Sequence, residues 1–167
     1  MGNIRKNYCY KCGSKLQRVN VDGVERDVCS ECGEVNYANP IPASAVGIVD
    51  EDRILLVKRA IEPKKGLWCL PSGFVEIDET VQECAIREVK EETNLDIVLT
   101  GIVDVYTVFE DPRYVCLLVV YTGNVTGGDL AAGDDAEEAA YFALNELPEI
   151  AFKKHYEAIK QVFRNRN

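Results

Sequence analysis

Apolar positions along this chain come in short blocks separated by turn-forming residues. "ASAVGIVD" (43–50) and "RILLVKRA" (53–60) are rich in Val, Ile and Leu. Asp50-Glu51-Asp52 joins them, which predicts two strands in a hairpin. "GLWCLPSG" (66–73) reads as a further short strand ending at Pro71-Ser72-Gly73. "DIVLTGIVDVYTVF" (96–109) and "RYVCLLVVYTGNV" (113–125) are long β patterns parted by Glu110-Asp111-Pro112. "GGDLAAGDDAEE" (127–138) reads as an acidic loop and "AAYFAL" (139–144) as another strand. Two stretches switch to helical period: Thr80 to Thr93, and a closing helix from Phe152 to Arg164. Thr80-Val81-Gln82-Glu83 has the form of a capping box, and Asn94 suits the left-handed residue that ends a helix. Strands and helices mix without regular βαβ alternation. The predicted class is α/β (α+β), a mixed sheet flanked by helices.

Four of the seven cysteines alter this picture at the N-terminus. They fall as Cys9-x2-Cys12 and Cys29-x2-Cys32, a zinc-ribbon spacing. Gly13 and Gly33 follow the pairs and let the backbone curl so that two thiolates meet one ion. Four sulfurs close a tetrahedral shell, so the expected Zn²⁺ is structural. Two disulfides are the alternative, and nothing in the sequence suggests the oxidising compartment they need. Cys69, Cys84 and Cys116 sit among apolar neighbours and read as buried packing residues. The expected organisation is a ribbon over 1–36, a stiff "YANPIP" bridge over 37–42 and a main domain over 43–167.

The chain has 167 residues, 47% apolar and 28% charged, with a net charge of −9. That charge disfavours general nucleic-acid binding, and an anionic substrate would need a cation to offset it. No apolar run approaches the roughly 20 residues of a membrane span. The N-terminus lacks the apolar core of a secretory signal, and Lys6 stands where a myristoylation signal wants Ser or Thr. A cytoplasmic protein is expected.

The helix over Thr80–Thr93 carries the chemistry. At about 100° per residue, Val81, Ala85 and Val89 mark its apolar side. Glu88 and Glu92 continue the Val81–Ala85 line at core-facing positions. Glu91 lies one step aside, and Glu83, Arg87 and Lys90 point toward solvent. A charged helix ordinarily turns its acids to water, opposite the apolar stripe. Here like charges stand one turn apart beside it, which is costly at a half-buried edge without a cation. Oxygen-ligated Mg²⁺ or Mn²⁺ is the natural partner.

Gly73-x5-Glu79-x7-Arg87-Glu88-Val89-x-Glu91-Glu92-x-Asn94-Leu95 resembles the Nudix box, G-x5-E-x7-R-E-U-x-E-E-x-G-U, where U is a bulky aliphatic residue. Asn94 replaces the last glycine and keeps a residue able to cap the helix. Ser72 and Asp78 replace common glycines outside the strict pattern. The resemblance implies an α/β/α sandwich in which Glu88, Glu91 and Glu92 ligate Mg²⁺ and the Gly73 carbonyl often contributes. Arg87 would orient neighbouring carboxylates, and Glu79 would hold the loop. The general base would be Glu88 or an acid on a later loop. Asp134, Asp135, Glu137 and Glu138 are available there, and Glu138 is the choice, as base or further metal carboxylate.

"YANP", "IEPKKGLWCLP" and "YFALNELP" followed by Ala151-Phe152 are similar to ribbon-bearing FAD and ADP-ribose pyrophosphatases, over nearly the full chain. The implied activity is Mg²⁺-dependent hydrolysis of the pyrophosphate in such a dinucleotide, releasing AMP, with a homodimer as one role for the ribbon. Alternatives are an NADH pyrophosphatase, whose SQPWPFP stretch is absent, an NAD-cap RNA hydrolase, and a non-catalytic ligand-sensing module. Pro112 stands where ADP-ribose hydrolases tend to place a proline. Trp68, Phe74, Tyr106, Phe109 and Tyr114 are candidates to stack on a base, with core packing the commoner role. Lys58, Arg59, Lys64, Lys65 and Arg113 are candidate phosphate contacts, although solubility accounts for lysines equally well. His155, the one histidine, has no expected catalytic part.

Overall fold

The computed structural model describes residues 6–111 and 113–166, so the first five residues, Pro112 and Asn167 lie outside it. A small antiparallel sheet comes first, of β1 (Leu16–Val21), β2 (Val24–Cys29) and β3 (Val35–Asn36). The main sheet is built from β4 (Ile41–Asp50), β5 (Arg53–Arg59), β8 (Asp96–Val108), β9 (Cys116–Gly127) and β10 (Ala136–Ala143). Its order is β10-β5-β4-β9-β8. Two short strands, β6 (Trp68–Cys69) and β7 (Ser72–Phe74), pair with β5 and β4. The β4–β9 pair is parallel and its neighbours are antiparallel, so the sheet is mixed, as expected.

Period-2 alternation sends side chains from one strand to opposite faces. Ile54 and Leu56 of β5 join Ala158, Ile159 and Val162 of α2 (Lys153–Arg164). Leu55, between them, joins Ala85 and Val89 of α1 (Val81–Thr93). Each face is therefore covered by a helix, giving an α/β/α sandwich. No helix among the described residues is long and apolar enough to cross a membrane.

Several boundaries differ from the sequence reading. β4 opens at Ile41, inside the expected bridge, because the extended bias of a residue before proline serves a strand as well as a linker. Ser72-Gly73 continues as β7 rather than ending a strand, since Ser44 of β4 offers Gly73 a partner. β10 begins at Ala136, so Glu137 and Glu138 lie on a strand rather than in a loop. The turn of β4–β5 is as expected, with Asp50 opposite Arg53 and Glu51 at positive φ.

Candidate active site

Helix α1 begins as its sequence dictates. Thr80 accepts the Glu83 amide hydrogen at 3.2 Å, and the Glu83 carboxylate accepts from the Thr80 amide at 2.7 Å. Asn94 ends the helix with φ 58°. These two caps fix the register that places Glu88, Glu91 and Glu92.

Arg87 does not point to solvent. Its Nη2 and Nε donate to the two Glu79 carboxylate oxygens at 2.6 and 2.9 Å. Its Nη1 donates to Glu88 at 2.6 Å and to Glu91 at 3.0 Å, and Nη2 also reaches the Phe74 carbonyl at 3.2 Å. A guanidinium offers five donors in a planar fork, and neighbouring acids draw it inward. Arg87 holds the Glu79 carboxyl down at about 2. Glu79 in turn accepts the Glu76 amide hydrogen, closing the loop between β7 and α1.

Glu88 and Glu92 lie in a different environment. Burial is the main cause that pushes the Glu88 carboxyl above its ordinary range, despite Arg87. Glu92 is 3% exposed and accepts one amide hydrogen, from Ser72 at 2.9 Å. Burial pushes its carboxyl far upward, and the nearby Asp135 and Glu88 charges push in the same direction. The fit against Gly73 is close: a Cβ there would run into the Glu88 carboxylate, so any larger residue displaces it. Hard oxygen donors only, with like charges half out of water, make a donor set suited to Mg²⁺ or Mn²⁺. Among the described residues, no three carboxylates gather as closely as the four cysteines do, and Arg87 Nη1 bridges Glu88 and Glu91.

Loop 128–135 brings the later acid. Its backbone lies along the end of α1, where Ala131 and Gly133 donate to the Thr93 and Glu92 carbonyls at 3.0 and 3.2 Å. Asp134 and Asp135 line the cavity, and Asp135 stands beside Glu92. Glu138 is not brought there. It projects from β10 opposite Lys58 and meets its Nζ at 3.8 Å, with its side chain 57% exposed. The early start of β10 explains the difference.

A cavity of about 490 Å³ opens beside these acids. Phe74 and Tyr114 form one wall, their rings edge to face at 5.2 Å. Arg113 lies over Tyr114 and is tied to Asp111 at 2.7 Å. The opposite corner holds Arg59 over the Phe152 ring at 5.2 Å, its Nε donating to the Pro63 carbonyl at 2.8 Å. No carboxylate pairs with Arg59 among the described residues. Of the other named aromatics, Trp68 packs on Phe142, Tyr106 lies under Lys154, and Phe109 is exposed. Phe152, named in the sequence only for its resemblance and as the start of the closing helix, was not among the stacking candidates. His155 lies at the cavity floor with Nδ1 accepting the Leu70 amide hydrogen at 3.2 Å. Burial, with Arg59 nearby, lowers its pKa to about 4.

The cysteine cluster lies in the N-terminal sheet. Gly13 and Gly33 take φ of 76° and 71° and donate to the Cys9 and Cys29 carbonyls, forming two equivalent knuckles. Sulfur separations of 3.4 to 3.7 Å join Cys12–Cys29, Cys12–Cys32 and Cys9–Cys32. A disulfide needs about 2.05 Å. A zinc–sulfur bond of about 2.3 Å gives tetrahedron edges of about 3.8 Å, so the four thiolates fit zinc.

The family description NUDIX domain matches residues 39–165, and the Nudix N-terminal zinc ribbon matches residues 7–38. An ADP-ribose pyrophosphatase of Methanocaldococcus jannaschii is 47% identical over 129 residues, covering 75% of this chain and 76% of the relative. An NAD-capped RNA hydrolase NudC of Vibrio atlanticus is 28% identical over 86% of this chain, which spans only 52% of that relative. A NUDIX hydrolase of Nitrosomonas europaea superposes with TM-score 0.81 and 28% identity, over 97% of this chain and 94% of that one. An ADP-ribose pyrophosphatase of Streptococcus suis superposes with TM-score 0.64 and 26% identity, over 77% and 93%.

Proposed function

The chain belongs to the NUDIX domain family, and from that premise we propose that it hydrolyses the pyrophosphate bond of a dinucleotide of the ADP-ribose or FAD kind, releasing AMP. The observation that carries this reading is one juxtaposition. Glu88 of α1, with Asp134 and Asp135 of the later loop, meets a cavity of about 490 Å³ that holds two guanidiniums and three aromatic rings.

Glu88, Glu91, Glu92 and the Gly73 carbonyl would hold Mg²⁺ or Mn²⁺. When bound, such ions neutralise charge on the phosphates and make a water nucleophilic. Arg59, lacking a carboxylate partner, binds a phosphate oxygen of the substrate, and Phe74 with Tyr114 orients a planar ring. Asp135 takes the role first given to Glu138, holding the attacking water and accepting its proton. The water oxygen bonds to one phosphorus, and the bond from that phosphorus to the bridging oxygen breaks. The electron pair leaves with the other phosphate. Arg87 and Glu79 keep the box loop in place throughout.

The ribbon carries structural zinc in this reading, and the enzyme is a cytoplasmic homodimer, checked by sedimentation. NAD-capped RNA is the second substrate reading, favoured by the relatives at 28% identity and opposed by the net charge of −9. Hydrolysis of ADP-ribose, FAD, NADH and NAD-capped RNA with Mg²⁺ decides between them. ADP-ribose or FAD should turn over fastest with AMP as product. A preference for capped RNA transfers the assignment, and no hydrolysis of any of the four ends it.

A further inference from the structure

Cys84 lies on the helix between Thr80 and Arg87, and burial alone does not account for its surroundings. It is fully buried, as is Ser44 on β4. The Ser44 hydroxyl donates to Cys84 Sγ at 3.0 Å, and Sγ donates to the Phe74 carbonyl at 3.3 Å, with the Gly73 carbonyl at 3.7 Å. The Phe74 carbonyl also receives Arg87 Nη2 at 3.2 Å.

Strand β7 has three residues, and its ladder contacts run to β4 alone, with Ser44 opposite Gly73. Nothing in that short ladder fixes its distance from α1. Side chains of α1 do: Arg87 reaches the Phe74 carbonyl and Glu92 the Ser72 amide. The Cys84 thiol, where β4, β7 and α1 meet, adds the contact that includes the Gly73 carbonyl. The Glu88 carboxylate rests directly on Gly73, so a shift of β7 by a few tenths of an ångström displaces either the carboxylate or the carbonyl.

We propose that Cys84 is a positioning residue for the active site: its thiol, oriented by Ser44, sets the Gly73-Phe74 backbone against Glu88. This inference rests on the assignment of Gly73 and Glu88 to divalent-cation binding. It adds a residue for which the box has no fixed requirement, and the role calls for a small hydrogen-bond donor rather than a thiol as such.

The test compares Cys84→Ala, Cys84→Ser and Ser44→Ala with the wild-type chain, reading Mn²⁺ affinity by calorimetry together with kcat and KM. Losing a residue that orients ligands costs roughly tenfold in affinity or rate. Cys84→Ala should therefore weaken Mn²⁺ binding and lower kcat by about tenfold with KM nearly unchanged. Cys84→Ser should recover both to within about threefold, because a hydroxyl can donate where the thiol did. Ser44→Ala should show a smaller loss in the same direction, and it serves if Cys84→Ala does not fold. Wild-type Mn²⁺ affinity in Cys84→Ala overturns the proposal, or in Ser44→Ala if that is the variant in hand. So does Cys84→Ser as impaired as Cys84→Ala, which would mark a packing role. If the wild type hydrolyses no dinucleotide, the functional reading fails, while the order of Mn²⁺ affinities still tests Cys84.

Discussion

Two buried titratable side chains behave oppositely at the residue scale. Glu92 is held out of water with a single amide partner, an expensive state for a carboxylate unless a cation joins it. Glu92→Gln keeps an acceptor for Ser72 and removes the charge. Turnover should fall on the order of a thousandfold, the scale of losing a group that acts in the transition state. The melting temperature without metal should hold or rise. Wild-type rates in this variant would reject the metal role. His155 is kept neutral, with its pKa lowered to about 4 from an ordinary value near 6.5. The unfolded chain then takes up the proton first. His155 contributes stability fully above about 6.5, and that stability is lost as pH falls through about 4. His155→Leu leaves the Leu70 amide without an acceptor and should cost about 1–3 kcal/mol near pH 7. The difference between the two proteins should shrink on acidification, read as paired melting curves from pH 7 to pH 4. A constant difference would mean that His155 titrates normally.

Element by element, legibility followed how local the cause was. The caps of α1 lie within four residues of their partners, so Thr80, Glu83 and Asn94 were readable from the chain alone. Thr80→Ala should lower stability by about 1 kcal/mol in denaturant titration, with kcat changed little, because the cap lies about two turns from Glu88. A large loss of kcat with stability intact would show that the cap serves the site directly. The direction of Arg87 was not readable. A helical wheel assigns it to solvent, and only the return of the Glu79 loop over that face provides its partners. The placement of Glu138 has a related cause. Strand β10 is set by pairing with β5, some 80 residues earlier in the chain, and that register turns Glu138 toward Lys58. Asp134 and Asp135 were among the acids the sequence offered, and the hydrogen bonds of their loop to the end of α1 bring that loop beside Glu92.

At the scale of the whole molecule, the N-terminal sheet and the catalytic sandwich are stabilised by different means. The sandwich buries a cluster of apolar residues on each face of one sheet. The N-terminal sheet buries little besides Cys9 and Cys29, and Val19, Val24 and Tyr37 are exposed. Such a unit depends on its metal for folding free energy. Chelation, or Cys29→Ser, should therefore unfold the ribbon. Cys29 is 2% exposed, and both its sulfur and its carbonyl belong to a knuckle. Zinc measured by atomic absorption should fall from about one per chain to near zero. The sandwich has its own core, so the main melting transition should persist while a lower one disappears. If zinc is absent from the wild type, or the melting curve of Cys29→Ser matches it, the four sulfurs are not a structural site. Retention of the main transition together with loss of hydrolysis would further show that the ribbon shapes the catalytic cavity rather than merely standing beside it.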